Sequence, residues 1–170
     1  EVLFNIAGLR VPLVMTVANR AVGAPLSIWN DQSDSMAVRD AGWIQLYAAD
    51  NQEAVDTTIQ AFRIAQDTEL PVMVCMDGFI LTHTMEPIRM PEQADVDGWL
   101  PPYDFARVLT PDDPKSVGTL VSPDYFAEVR HSHHAAMLKA LPVIESVDED
   151  WENLTGRACG GLLTVEGDAE

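Results

Sequence analysis

Lysine is almost missing from this chain. Its 170 residues include only Lys115 and Lys139, and Lys and Arg together number 10 against 27 Asp and Glu, a formal charge of −17. A nucleic-acid binder carries the opposite balance, and an anionic membrane surface would repel this one. Two readings of the acidity remain: a generously solvated surface, or adaptation to high salt. Cysteine is scarce too. Cys75 lies inside an apolar run and reads as a buried thiol. Cys75 and Cys159 together make no disulfide framework and cannot hold an iron–sulfur cluster alone. No apolar run reaches membrane-spanning length, and no secretory signal is present. A reducing cytoplasm is the simplest setting. GxGxxG, P-loop, nucleophile-elbow and HExxH motifs are all absent.

What is present is a core-forming composition, 47% hydrophobic, of a size that suits one domain or a domain with an appendage. The stretch 13–40 organises it. Residues 13–17 (LVMTV) are an apolar run of buried-strand length that breaks into Asn19-Arg20, then Gly23, Pro25 and an Asp-rich segment. A strand ending in arginine and a small-residue loop puts a cation at the carboxyl edge of a sheet, where open α/β sheets bind ligands.

The rest alternates. Residues 1–10 space Leu3, Ile6 and Leu9 as the end of an amphipathic helix. Residues 31–40 predict a short helix starting at Asp31 or Ser33, whose side chains can accept from open amides; Ser33 and Asp34 could equally face a ligand. Residues 43–49 (WIQLYAA) alternate as a half-buried strand. Asp50 with Glu53 forms a capping-box variant before a helix with Val55, Ile59 and Phe62 on one stripe and Ala54, Ala61 and Ala65 filling in. Residues 70–76 (LPVMVCM) predict a strand buried on both faces, running into Asp77-Gly78. The fold class is α/β with a parallel sheet. Seven prolines between Pro87 and Pro123 then predict an extended arm without regular helix, anchored by Trp99, Leu100, Tyr103 and Phe105. Ser122-Pro123 opens a helix with Phe126, Val129, Met137, Leu141 and Ile144 on a stripe through Trp151, kinked or interrupted at Pro142. Glu1 already inside a helix and the unpunctuated residues 166–170 predict a piece of a longer polypeptide.

Arg20 has two readings: recognition of a carboxylate or phosphate by its planar fork, or pairing with a local carboxylate such as Asp31 or Asp34. His131, His133 and His134 lack zinc spacing and read as a solvated or interfacial face. His83 reads as structural, though well placed for function. Asp31, Asp34 and Asp40 could ligate magnesium, but helix capping explains them more simply.

Taken in order, ANRA, SIWNDQSD, RDAGWIQLYA, NQEA, VMVCMDGFILTH and LPPY resemble the α subunit of the pyruvate:ferredoxin oxidoreductase family, with the 2-ketoisovalerate and other 2-oxoacid:ferredoxin oxidoreductases similar. The resemblance covers residues 1–157, and DGFILTH leans towards pyruvate. It implies an oxidoreductase that decarboxylates a 2-oxoacid on thiamine diphosphate, transfers the acyl group to coenzyme A (CoA) and passes two electrons to ferredoxin. It implies the later half of the pyrimidine-binding α/β domain at 1–86, the Pro-rich arm at 87–121, a helical segment at 122–157, and the start of a transketolase C-terminal-like domain at 158–170. By the same resemblance Arg20 binds the 2-oxoacid carboxylate; the cofactor-binding residues are not assigned by it, and Asn19 and Asp34 stand as candidates. The cofactor is shared with another subunit or domain; the activating glutamate, magnesium (Mg2+) and 4Fe–4S clusters lie elsewhere in a hetero-oligomeric complex. The chain alone would then be inert. The alternative is a non-catalytic assembly module of the same fold.

Overall fold

The structure, a computed structural model, describes residues 1–100, 102–105, 107–118 and 120–163. Helix α1 (Val2–Gly8) leads into β1 (Val14–Asn19); α2 (Ser33–Met36) and a 3-10 turn (Arg39–Ala41) precede β2 (Ile44–Ala48); α3 (Asn51–Thr68) precedes β3 (Val72–Asp77). Helices α4 (Ile80–His83) and α5 (Gln93–Trp99) follow, and α6 (Pro123–Thr155) is the longest element. The strands form a parallel sheet in the order β1-β3-β2, with Val14 and Ile44 both in register with Val72. This is the α/β fold that the alternation predicts.

The central strand explains the layering. Val72 and Val74 point to one face and pack with Ile64, Ala61 and Ala65 of α3 and Ala140 and Val147 of α6. Met73 and Cys75 point to the other and pack with Ala7 of α1, Ala41 and Trp43. A strand covered on both faces must be apolar throughout, and β3 is. Asp50 caps α3 by accepting from the Glu53 amide at 2.8 Å, and the Glu53 carboxylate reaches back to the Ala49 amide at 2.6 Å, so the capping box forms as read. At the other end of α3, Arg10 donates to the Glu69 and Thr68 carbonyls at 2.9 and 2.8 Å, satisfying groups a helix end leaves open.

Several expectations are corrected. The Pro-rich segment contains α5, because Pro91 and Pro101 leave a proline-free gap long enough for two turns. Its Trp99 sets an edge-on contact with Trp151 at 5.0 Å and lies under Arg63 at 4.8 Å. Helix α6 runs unbroken through Pro142; packing of Ala140, Val147 and Trp151 holds it on both sides of the missing amide. Its buried stripe is His133, Ala140, Val147 and Trp151, whereas Phe126, Val129 and Leu141 are exposed. On α3 the core face is Ala54, Ala61, Ile64 and Ala65 and Phe62 is exposed, since a helix squeezed between sheet and α6 favours small residues at the contact. Of the apolar stretch 162–165, Thr164 and Val165 lie outside the described residues. No helix among the described residues is long and apolar enough to cross a membrane.

Candidate functional site

Strands β1 and β3 end together, with Asn19 in register with Asp77. They are held close by the Gly78 amide, which donates to the Asn19 carbonyl at 2.9 Å. Glycine is required there because a Cβ on residue 78 would overlap that carbonyl oxygen. Phe79 follows with φ +66°, a left-handed conformation that side chains other than glycine resist, and the Ile80 amide turns back onto the Gly78 carbonyl at 2.8 Å. The Phe79 ring sits between Trp29, 5.0 Å away, and His83, 4.7 Å away. His83 is therefore at this edge, stacked, with Nδ1 3.1 Å from Thr82 Oγ1.

Asn19 is fully buried. Its Nδ2 donates to Asp34 Oδ1 and to Ser35 Oγ, both at 2.7 Å. Asp34 accepts only, so it fixes which end of the Asn19 amide faces it. The other end, Oδ1, is buried with no hydrogen-bond partner among the described residues, and so is Oδ1 of Asp77. Two acceptors in register, both lacking a donor, mark this edge as incomplete.

Arg20, one residue past β1, is exposed. Its amide donates to Asp34 Oδ2 at 3.1 Å. Among the described residues no carboxylate forms an ion pair with its guanidinium. The pairing reading of Arg20 is therefore not met: Asp34 holds the main chain and leaves the fork open. Asp31 caps locally, accepting from the Ser33 amide at 2.7 Å, and its carboxyl is held below the usual range by Ser33 hydrogen bonds. The structure thus brings Asn19, Arg20 and Asp34 together.

Sequence reasoning missed Ser35 and Tyr47, which extend the network. Ser35 Oγ lies 3.0 Å from Tyr47 Oη, which donates to Gln45 Oε1 at 3.3 Å. Burial raises the Tyr47 hydroxyl above its ordinary value and pushes the Cys75 thiol up to about 11, so neither supplies an anion at neutral pH. The strained Phe79 was also invisible; only its place after Asp77-Gly78 gave a signal.

Among the described residues no group of three or more His, Cys, Asp or Glu is placed to hold a metal ion. His133, expected on a solvated or interfacial face, takes the interfacial place: it is buried, with Nε2 3.3 Å from the Gly42 carbonyl it donates to. A second concave region, about 880 Å3, lies between β2, α3 and the stretch after α6, lined by Tyr47, Glu53, Asp148 and Cys159 among others. Its acids are satisfied: Asp148 accepts the Cys159 and Gly161 amides at 2.8 Å each, and Asp56 takes two bonds from Arg157, also at 2.8 Å. The Cys159 thiol, desolvated and beside Asp148, is likewise pushed up to about 11.

The family model described as "Pyruvate flavodoxin/ferredoxin oxidoreductase, thiamine diP-bdg" matches residues 1–149. Pyruvate synthase subunit PorA of Methanosarcina barkeri is 53% identical over 165 residues, covering 96% of this chain and 41% of that protein. PorA of Methanothermobacter thermautotrophicus is 48% identical over 162 residues, covering 94% of this chain and 42% of its own length. The ketoisovalerate oxidoreductase subunit VorA of Pyrococcus horikoshii is 40% identical over 158 residues, covering 92% and 40%. The chain spans about two fifths of the length of these curated relatives.

Proposed function

The chain belongs to this thiamine-diphosphate-binding family of pyruvate flavodoxin/ferredoxin oxidoreductases, and from that premise we propose that it forms one wall of a 2-oxoacid site in which Arg20 binds the substrate carboxylate. The reaction of the whole enzyme is pyruvate, CoA and oxidised ferredoxin to acetyl-CoA, carbon dioxide and reduced ferredoxin. Higher identity to PorA, 53% and 48% against 40% for VorA, favours pyruvate over branched 2-oxoacids. Residues 1–86 are read as the later half of the cofactor-facing domain, 87–121 as an arm, 122–157 as a helical segment and 158–170 as the start of a following domain. The partners are the other subunits, with ferredoxin and CoA reached through the complex, in the cytoplasm.

The observation that carries the proposal is the open Arg20 fork beside Asn19, whose buried Oδ1 lacks a donor among the described residues. These residues fit one side of a cofactor–substrate pair: a cation for the carboxylate, and acceptors for N–H donors. Asn19 and Asp34 line that side; Mg2+ and 4Fe–4S clusters come from elsewhere in the complex. When bound, thiamine diphosphate supplies the sink for the electron pair released as carbon dioxide departs. The carboxylate loses its charge in that step. A guanidinium paired with it therefore favours bound substrate at least as much as the transition state, and its role is holding and orienting.

The test is Arg20→Ala in the assembled oxidoreductase. A charge-assisted bond of about 2 kcal/mol gives a KM for pyruvate raised by about thirtyfold, with kcat changed much less. An unchanged KM with altered subunit assembly would instead favour the assembly-module alternative.

A further inference from the structure

The geometry points to Ser33-Asp34-Ser35 as a three-point clamp that positions the Arg20 guanidinium. Together these consecutive side chains grip three points of the strand end and its loop: the Asn19 side chain, the Arg20 amide and the Val22 amide. Ser33 Oγ accepts from the Val22 amide at 3.1 Å. Asp34 Oδ2 accepts from the Arg20 amide at 3.1 Å, while Oδ1 accepts from Asn19 Nδ2 at 2.7 Å. Ser35 Oγ accepts from the same Nδ2 at 2.7 Å.

The clamp is itself anchored. Ser35 is buried, its hydroxyl lies 3.0 Å from Tyr47 Oη on β2, and its carbonyl accepts from Gln45 Nε2 at 2.9 Å. Helix α2 is only four residues long, and its N-cap residue, Gln32, makes no side-chain capping bond. So short a helix has little stability of its own. Asp31 accepts from the Ser33 amide and Asp34 from the Ser35 amide, and the remaining acceptor positions of Ser33, Asp34 and Ser35 are turned onto β1 and its loop.

Both Asp34 oxygens are occupied by N–H donors of this chain. That gives Asp34 a positioning role toward Arg20. The Arg20 fork has no bond of its own among the described residues, so its aim depends on a main chain held at residues 20 and 22. This inference rests on the carboxylate-binding reading of Arg20.

The experiment is a double-mutant cycle in the assembled oxidoreductase, with pyruvate kinetics as the readout. Asp34→Asn and Ser33→Ala are each made in the wild-type and Arg20→Ala backgrounds. Asn at 34 turns an N–H2 onto donors, either the Asn19 Nδ2 and Ser35 amide that Oδ1 accepts from or the Arg20 amide that Oδ2 accepts from. We expect Asp34→Asn to raise the KM for pyruvate about tenfold and Ser33→Ala about threefold, with kcat within about twofold. Neither should raise KM further once Arg20 is Ala. Equal effects in the two backgrounds, or a fall in kcat with KM unchanged, overturn the clamp while leaving Arg20 as carboxylate binder. An unchanged KM for Arg20→Ala alone overturns both. If Asp34→Asn does not assemble, Ser33→Ala, a substitution at an exposed residue, decides the matter.

Discussion

Replacing Arg157 with Ala tests how the stretch after α6 is fastened to the domain. The Asp56 side chain, in the second turn of α3, is 3% exposed, while that of Arg157 is 20% exposed. Arg157 donates from Nε to Asp56 Oδ2 and from Nη2 to Oδ1, each at 2.8 Å, and Asp56 holds its guanidinium pKa above the ordinary value. The only other bond to the carboxylate among the described residues comes from Gln52 Nε2 at 3.2 Å. Breaking a buried pair by removing one partner costs about 3–5 kcal/mol. Here the vacated arginine position is partly open to water, which reduces the figure to about 2–3 kcal/mol. The converse change, Asp56→Asn, keeps an acceptor and leaves a guanidinium that can rehydrate, so it costs about 1 kcal/mol. Urea unfolding followed by tryptophan fluorescence reads the difference, because Trp151 is fully buried near this junction. With a slope of about 2 kcal/mol per molar, the midpoint falls by about 1–1.5 M for Arg157→Ala and about 0.5 M for Asp56→Asn. Equal losses, or a larger loss for Asp56→Asn, would refute the reasoning, since the asymmetry follows only from which charge is left buried.

Two further outcomes follow from single side chains. Gly78→Ala forces a Cβ onto the Asn19 carbonyl and separates the ends of β1 and β3, so it should lower stability by about 2 kcal/mol and Tm by about 5 °C; an unchanged Tm by calorimetry would contradict the close approach. Burial lowers the His133 pKa below its ordinary 6.5, with Arg130 and Arg10 adding to the effect. The folded state thus favours the neutral ring. That stabilisation is complete above 6.5 and is lost as pH falls through the folded value. His133→Gln should therefore flatten the loss of Tm between about pH 7.5 and about pH 5, and identical pH profiles would show that His133 does not titrate as its burial requires.

The sheet was legible because its chemistry is local. Residues 70–76 are apolar without interruption, and only a central parallel strand needs that; the Asp50–Glu53 capping box marks the start of α3 within three residues. The packed faces of α3 and α6 were legible only in part: Ala54, Ala61, Ala65 and Trp151 are buried and Met137 and Ile144 pack against the core. Apolar spacing pointed to Phe62, Phe126 and Leu141, yet all three are exposed, because contact between two helices and a sheet selects Ala61, Ala65 and Ala140 by size. The site was legible in part. Strand position and the ANRA resemblance singled out Arg20, but nothing in the order of residues says that Asp34 would hold the Arg20 amide and leave the fork open. Arg157 and Asp56 stand 101 positions apart with no pattern linking them.

The two polar clusters of this domain differ in one respect that bears on function. Against the stretch that follows α6, the buried acids Asp56 of α3 and Asp148 of α6 have their oxygens filled by Arg157, Cys159 and Gly161. At the carboxyl edge of β1 and β3, Asn19 and Asp77 each keep a buried oxygen without a donor, Phe79 is held at φ +66°, and the Arg20 fork is open. Each of the first three features costs of the order of 1–3 kcal/mol unless something outside the described residues satisfies it. Among the described residues the other buried side-chain atoms without partners are N–H groups of Trp99, Trp151 and Arg107, so there only this edge lacks donors. Among the described residues one acidic cluster is satisfied completely, while unmet acceptors and an open cation lie together on one pair of strand ends; that contrast supports the proposal of a ligand at the second place and of a fastening at the first.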